Sequence, residues 1–157
     1  MSLDLRAIAA ARNATAPSPS KTSVLHIATN LFFNIEDDDV IIFVSPDGDK
    51  DFYVKRVIAK PSDEVRIEKH GFEWVFIVND EEKDNFEVGY PEELMNKYGS
   101  SFIVPKNKYF VMGDNRNNSS DSRIFGLFKK SQVMGKVIYR VNSLFDWEKV
   151  DWMDKHE

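Results

Sequence analysis

Six short runs of β-branched and aromatic residues punctuate the chain, and their period close to two restricts it to a mainly β, antiparallel architecture. The runs are Val40–Val44, Phe52–Ile58, Val65–Glu68, Phe72–Val78, Tyr109–Met112 and Val137–Val141. Alternation of this kind sends side chains to opposite faces of a sheet, and turn clusters such as Ser45-Pro46-Asp47-Gly48-Asp49 separate the runs. A helix is expected at Pro91–Tyr98, where proline takes an N1-like position, with a weaker helical pattern in the Ala-rich N-terminus. The stretch from about 79 to 106 is acidic, polar and less β-like, and reads as a small cap inserted on the sheet. Residues 1–22, with Ala16-Pro17-Ser18-Pro19-Ser20, read as a flexible lead-in to one domain spanning 23–157.

Composition narrows the function classes. A formal net charge of -5, with basic residues scattered rather than striped, gives no general attraction to nucleic acid. With Cys 0 there is no disulfide, thiolate metal site or thiol nucleophile. His26, His70 and His156 lie far apart in sequence, so neither a metal nor another cofactor is expected. No apolar run approaches the roughly 18 residues needed to cross a bilayer.

Two places carry chemistry. The first is Lys55-Arg56 within a strand. Alternation places Tyr53, Lys55 and Val57 on one face and Phe52, Val54, Arg56 and Ile58 on the other, so both faces are mostly apolar and each holds one cation. A strand of this kind is expected to be covered on both sides. A lysine there must pair, reach solvent or lose its proton, because desolvation disfavours the ammonium. From the strand alone, a snorkelling lysine beside an arginine paired with an aspartate is the preferred reading, with an uncharged amine acting as a base the alternative.

The second place is the polar block Gly113-Asp114-Asn115-Arg116-Asn117-Asn118-Ser119-Ser120-Asp121-Ser122-Arg123, set against Lys108–Met112. An Asx-rich turn requires glycine, asparagine and aspartate. It does not require two arginines, two aspartates and three serines between apolar segments, and that density points to a built site.

Together these segments resemble the type I signal peptidases. YFVMGDNRNNSSDSRIFG is similar to that family's G-D-N-R-x-x-S-x-D-S-R-x-x-G block, and KRVIAKPSDEV to its lysine block, K-R-V-I/V-x-x-P-G-D. DDDVIIF resembles its R-G-D-I-V-V-F strand. The resemblance covers roughly residues 24–145 and implies an antiparallel β-sheet or barrel core with a small cap. It also implies a membrane-associated serine endopeptidase that removes signal peptides from secreted preproteins with a Ser/Lys dyad, and leans toward an active enzyme.

Carried over by position, the resemblance makes Lys55 the general base. Ser119 becomes the hydroxyl that orients its amine, Asp121 and Arg123 a bracing ion pair, and Gly113, Asp114, Asn115 and Arg116 the turn beside the lysine strand. The implied partners are preproteins or their signal peptides and a membrane surface. The implied location is the outer face of a bacterial cytoplasmic membrane, reached through an N-terminal anchor not recognisable in this sequence.

The departures are specific. The family's S-M-x-P-T-L nucleophile block is not recognisable, and aligning Pro17 with its proline sets Ala14 at the serine position, so the nucleophile is unknown. Ser18, Ser20 and Ser23 sit in a linker-like context and are not nominated. Ser62 replaces the glycine after Pro61. The missing block keeps open a catalytically silent relative acting in secretion or pilus assembly. The C-terminal Phe145–Met153 either touches a bilayer or caps the sheet.

Overall fold

The computed structural model describes residues 24–28, 34–44, 52–86, 91–143 and 146–149. Strands β1 (Val24–Ala28), β2 (Val40–Val44), β3 (Phe52–Ala59), β4 (Glu64–His70), β5 (Glu73–Val78) and β6 (Glu81–Phe86) precede helix α1 (Glu92–Tyr98). Then follow β7 (Ser101–Ile103), β8 (Lys108–Met112), helix α2 (Ser122–Phe125), β9 (Phe128–Lys129), a 3-10 turn (Lys130–Gln132), β10 (Val133–Ser143) and β11 (Asp146–Lys149). Every described strand pair is antiparallel, as the period-two pattern predicts. No helix among the described residues is long and apolar enough to cross a membrane.

The strands form two sheets. The larger has seven strands in the order β1-β10-β2-β3-β8-β9, with β11 added along β10; the smaller has four in the order β6-β5-β4-β7. The 79–106 stretch, expected to have little β character, instead supplies β6 and β7, which pair with β5 and β4. Charged β6 and short β7 lie at the two edges of the sheet, where one side of a strand needs no apolar partner. Strands β1, β9 and β11 were also not expected. They are short, and their definition comes from pairing onto β10 and β8. Through Asp146–Lys149 the C-terminal segment extends the sheet; its remainder lies outside the described residues, as does the 1–22 lead-in.

Strand β8 is the wall shared by two apolar clusters. Tyr109 and Val111 pack with Ile41, Phe43, Val57 and Phe128, while Phe110 and Met112 pack with Ile58, Ala59, Val65, Phe76, Leu94 and Val104. Phe76 meets Phe110 edge-on with ring centroids 4.8 Å apart. Each such buried side chain contributes roughly 1.5–3 kcal/mol, so the C-terminal end of β8 is held from both faces. The second half of β3 is likewise covered on both faces, with Val57 in one cluster and Ile58 and Ala59 in the other. Phe72, assigned to a strand by pattern, lies in the β4–β5 turn after Gly71 (φ 65) and is 93% exposed.

Helix α1 forms where expected, with Pro91 one position earlier than N1, as its N-cap. The turn Lys60-Pro61-Ser62-Asp63, closed by Asp63 N donating to Lys60 O at 3.1 Å, holds Ser62 at φ 78. This is a left-handed conformation that glycine adopts without strain and serine does not. Asp38, at the glycine position of the R-G-D-like segment, also has a positive φ of 66.

Candidate active site

The register of the larger sheet brings the two chemical segments together. Strand β3 pairs with β2 through Ile41↔Lys55 and with β8 through Arg56↔Met112 and Val57↔Val111. One step further along that register, Lys55 stands across from Gly113, the first residue of the polar block. Lys55 projects on the same face as Tyr53 and Val57, toward the cluster of Phe43, Val111 and Phe128. Its Nζ lies 5.4 Å from the centre of the Tyr53 ring, and Tyr53 stacks on Phe125 of α2 with centroids 6.3 Å apart.

These apolar surroundings lower the Lys55 pKa from its ordinary 10.5. Burial is the main cause, since it disfavours the ammonium. The positive charge of Arg123 acts in the same direction, and Asp121 and Asp114 oppose it.

The polar block is folded by its own side chains. Asp121 caps α2 and is fully buried, accepting from Gly113 N at 3.0 Å, Arg123 N at 3.2 Å, Arg123 Nε at 2.9 Å and Arg123 Nη2 at 2.8 Å. Arg123 is only 5% exposed, so the pair is desolvated on both sides, and two-pronged contact with added backbone donors is the geometry that offsets such desolvation. Ser122 Oγ accepts from Val111 N at 2.9 Å. The loop is therefore stapled to the end of β8 at residues 111 and 113, and its intervening residues must arch back toward β3.

Lys55 and Arg56 meet this loop from opposite faces of their strand. Arg56 donates to both carboxylate oxygens of Asp114, each at 2.8 Å, and to Asp38 O at 3.1 Å. Arg116 Nη1 donates to Gly113 O at 2.7 Å, and Asn118 N to Asn115 O at 3.1 Å, so Asn115 serves the turn through its carbonyl. On the lysine face, Ser119 Oγ is buried with no hydrogen-bond partner. Ser119 and the Lys55 amine both close on Gly113: a Cβ built there would lie 2.7 Å from Ser119 Cβ and 3.3 Å from Lys55 Nζ.

The fold thus gathers Lys55, Ser119, Asp121, Arg123, Gly113, Asp114, Asn115 and Arg116 into one neighbourhood. Ala14, Ser18, Ser20 and Ser23 lie outside the described residues. Sequence reasoning missed two contributors. Ser122 ties the loop to β8, and its signal was its place directly after a helix-capping aspartate. Tyr53 faces the lysine, and its signal was the i, i+2 spacing on a strand.

Chemically, the arrangement offers a half-buried amine of lowered basicity and an unpartnered hydroxyl directed to the same spot. It can accept a proton from an alcohol brought against it.

Residues 7–142 match the family described as signal peptidase, peptidase S26. Signal peptidase IB of Staphylococcus aureus is 34% identical over 121 residues, covering 68% of this chain and 60% of that protein. Signal peptidase I P of Bacillus subtilis subsp. natto is 37% identical over 110 residues, covering 65% and 56%. The chain therefore spans about three fifths of the length of these relatives. A crystal structure of a signal peptidase I from Enterococcus faecalis V583 aligns at 26% identity and TM-score 0.47, covering 66% of this chain and 97% of that one.

Proposed function

The chain belongs to the signal peptidase S26 family, and from that premise we propose that it forms the base-bearing part of a membrane-associated serine endopeptidase that removes signal peptides from secreted preproteins. Lys55 is its general base. The neutral amine takes the proton of a serine hydroxyl as that oxygen attacks the scissile carbonyl, and returns it to the departing amine of the mature protein. Water, deprotonated by the same amine, then releases the signal peptide from the serine ester. Ser119 is the hydroxyl placed to orient the amine when the site is filled, standing beside it across Gly113 without a hydrogen bond between them. The Asp121–Arg123 pair holds Ser119 and Gly113 in register with the lysine strand. No residue of this sequence is assigned as the attacking serine, because the S-M-x-P-T-L block that carries it in the family is not recognisable here. Substrate and enzyme meet at the outer surface of the cytoplasmic membrane.

One observation carries this reading. An amine of lowered pKa and an unpartnered buried hydroxyl converge on a glycine that leaves room for both. A purely structural lysine on this strand is better served by a carboxylate, as Arg56 is by Asp114.

The test is cleavage of a preprotein by the full-length protein reconstituted in phospholipid vesicles. Lys55→Ala is expected to fold as the parent does and to lose cleavage by about a thousandfold or more, the scale of removing a proton-transfer group. Undiminished cleavage by Lys55→Ala overturns the assignment.

A further inference from the structure

At the opposite end of β8 from Gly113, the β8–β9 edge carries a concentration of positive charge for which the proposed peptidase chemistry has no use. Lys108 stands directly across from Lys129 in the antiparallel register. Lys106 and Lys130 flank them, and Lys130 N donates to Asn107 O at 2.8 Å, extending the pairing one step beyond Lys108 and Lys129. The four lysines, with Asn107 and Ser131, line an open pocket of about 460 Å³.

Like charges directly opposed on a ladder destabilise the strand pair. In a chain of net charge -5, carboxylates to neutralise them are plentiful. Yet among the described residues the lysine ion pairs are those of Lys60, Lys83 and Lys136, and no carboxylate pairs with Lys106, Lys108, Lys129 or Lys130. Lys108 Nζ instead donates to the Tyr98 hydroxyl at 3.3 Å and lies 5.6 Å from the centre of its ring, and Lys97 Nζ lies 5.6 Å from the same ring centre. A phenol face and a neutral hydroxyl offset only part of one cation's charge. Among the described residues the fold therefore assembles a concave group of ammonium ions with no carboxylate counter-charge.

We propose that this pocket binds a short phosphate-bearing polyanion whose oxygens bridge Lys108 and Lys129. Ammonium groups are compact, freely rotating donors suited to tetrahedral oxyanions rather than to one planar carboxylate. The volume exceeds that of a single inorganic phosphate and fits a group with several anionic oxygens. A long polyanion is disfavoured by the acidic remainder of the chain. Soluble oligophosphate and the headgroup of an anionic phospholipid share this chemistry.

Two binding measurements on the whole chain at low ionic strength separate those sources: calorimetric titration with tripolyphosphate, and co-sedimentation with phosphatidylglycerol vesicles against phosphatidylcholine vesicles. Lys106→Glu/Lys129→Glu is expected to weaken binding by about tenfold or more, whereas Lys69→Glu/Lys83→Glu, an equal charge change away from the pocket, leaves it within about twofold. Binding of tripolyphosphate with this pattern supports the site with a soluble ligand. Binding to phosphatidylglycerol vesicles alone with this pattern supports it with a lipid headgroup. Absence of binding to both probes, or equal weakening by the two double variants, overturns the proposal.

Discussion

Ser119 and Lys55 approach each other across the bare Cα of Gly113. The space is what matters there, because Gly113 is not among the residues with a positive φ. A methyl group at that position would overlap Ser119 Oγ, and it would press on the Lys55 amine at 3.3 Å. Glycine at the end of β8 is thus a condition of the close approach of the Lys55 amine and the Ser119 hydroxyl rather than of the turn.

Gly113→Ala should consequently lose about 1–3 kcal/mol of stability, the range for one extra carbon in a filled site. It should also lose most preprotein cleavage, because Ser119 must rotate away from the amine. Denaturant unfolding and the vesicle assay measure the two effects separately. Unchanged cleavage would show that the Ser119–Lys55 approach is incidental.

The lowered pKa of Lys55 sets the direction of two pH effects. The amine acts as a base only when neutral, so cleavage should rise with pH along a limb centred below the ordinary lysine value of 10.5. The Tyr53 ring, 5.4 Å away, favours the ammonium. Tyr53→Leu should therefore shift that limb down by on the order of half a pH unit, the equivalent of one exposed cation–π contact.

Stability follows from the same shift. Between the folded pKa and 10.5 the unfolded chain binds more protons than the folded one, so stability rises with pH through that window. Below the window the folded state carries a desolvated ammonium. Lys55→Met should be the more stable protein there, and its advantage should shrink as pH climbs through the window. Urea midpoints measured across the alkaline range test this, and an advantage independent of pH would contradict it.

Removing either member of the Asp121–Arg123 pair strands a buried charge, at a cost of about 3–5 kcal/mol. Asp121→Ala should be the worse of the two, since it also deprives Gly113 N and Arg123 N of their acceptor. Asp121→Ala/Arg123→Met should then be less destabilised than the sum of its single variants. A double-mutant cycle by chemical denaturation provides the comparison; simple additivity would mean that the pair is not coupled.

Ser62→Gly should stabilise the protein by about 1 kcal/mol, because the φ of 78 at this position costs a side-chain-bearing residue roughly 1–2 kcal/mol. Part of that gain is offset by the greater freedom of glycine in the unfolded chain. The thermal midpoint should rise by about 2–4 °C with cleavage unaltered.

Much of this protein is written locally. Alternation in Val40–Val44, Phe52–Ala59 and Lys108–Met112 marks strands wherever they pair, and the Gly113–Arg123 block folds through hydrogen bonds between near neighbours. Family membership and the location of the candidate site are legible for the same reason, since both reside in short continuous segments. What depends on distant parts of the chain was not legible. The acidic run from Glu81 to Phe86 becomes a strand because β5 offers it an edge, and Ser62 is strained because its turn must return the chain to Val104, whose carbonyl accepts from Ser62 N at 2.9 Å. Whether Lys55 snorkels or sheds its proton was left open by its own strand. Burial beside the Phe43, Val57, Val111 and Phe128 cluster lowers its pKa, and only strand register brings those residues together, just as it alone sets Lys108 opposite Lys129.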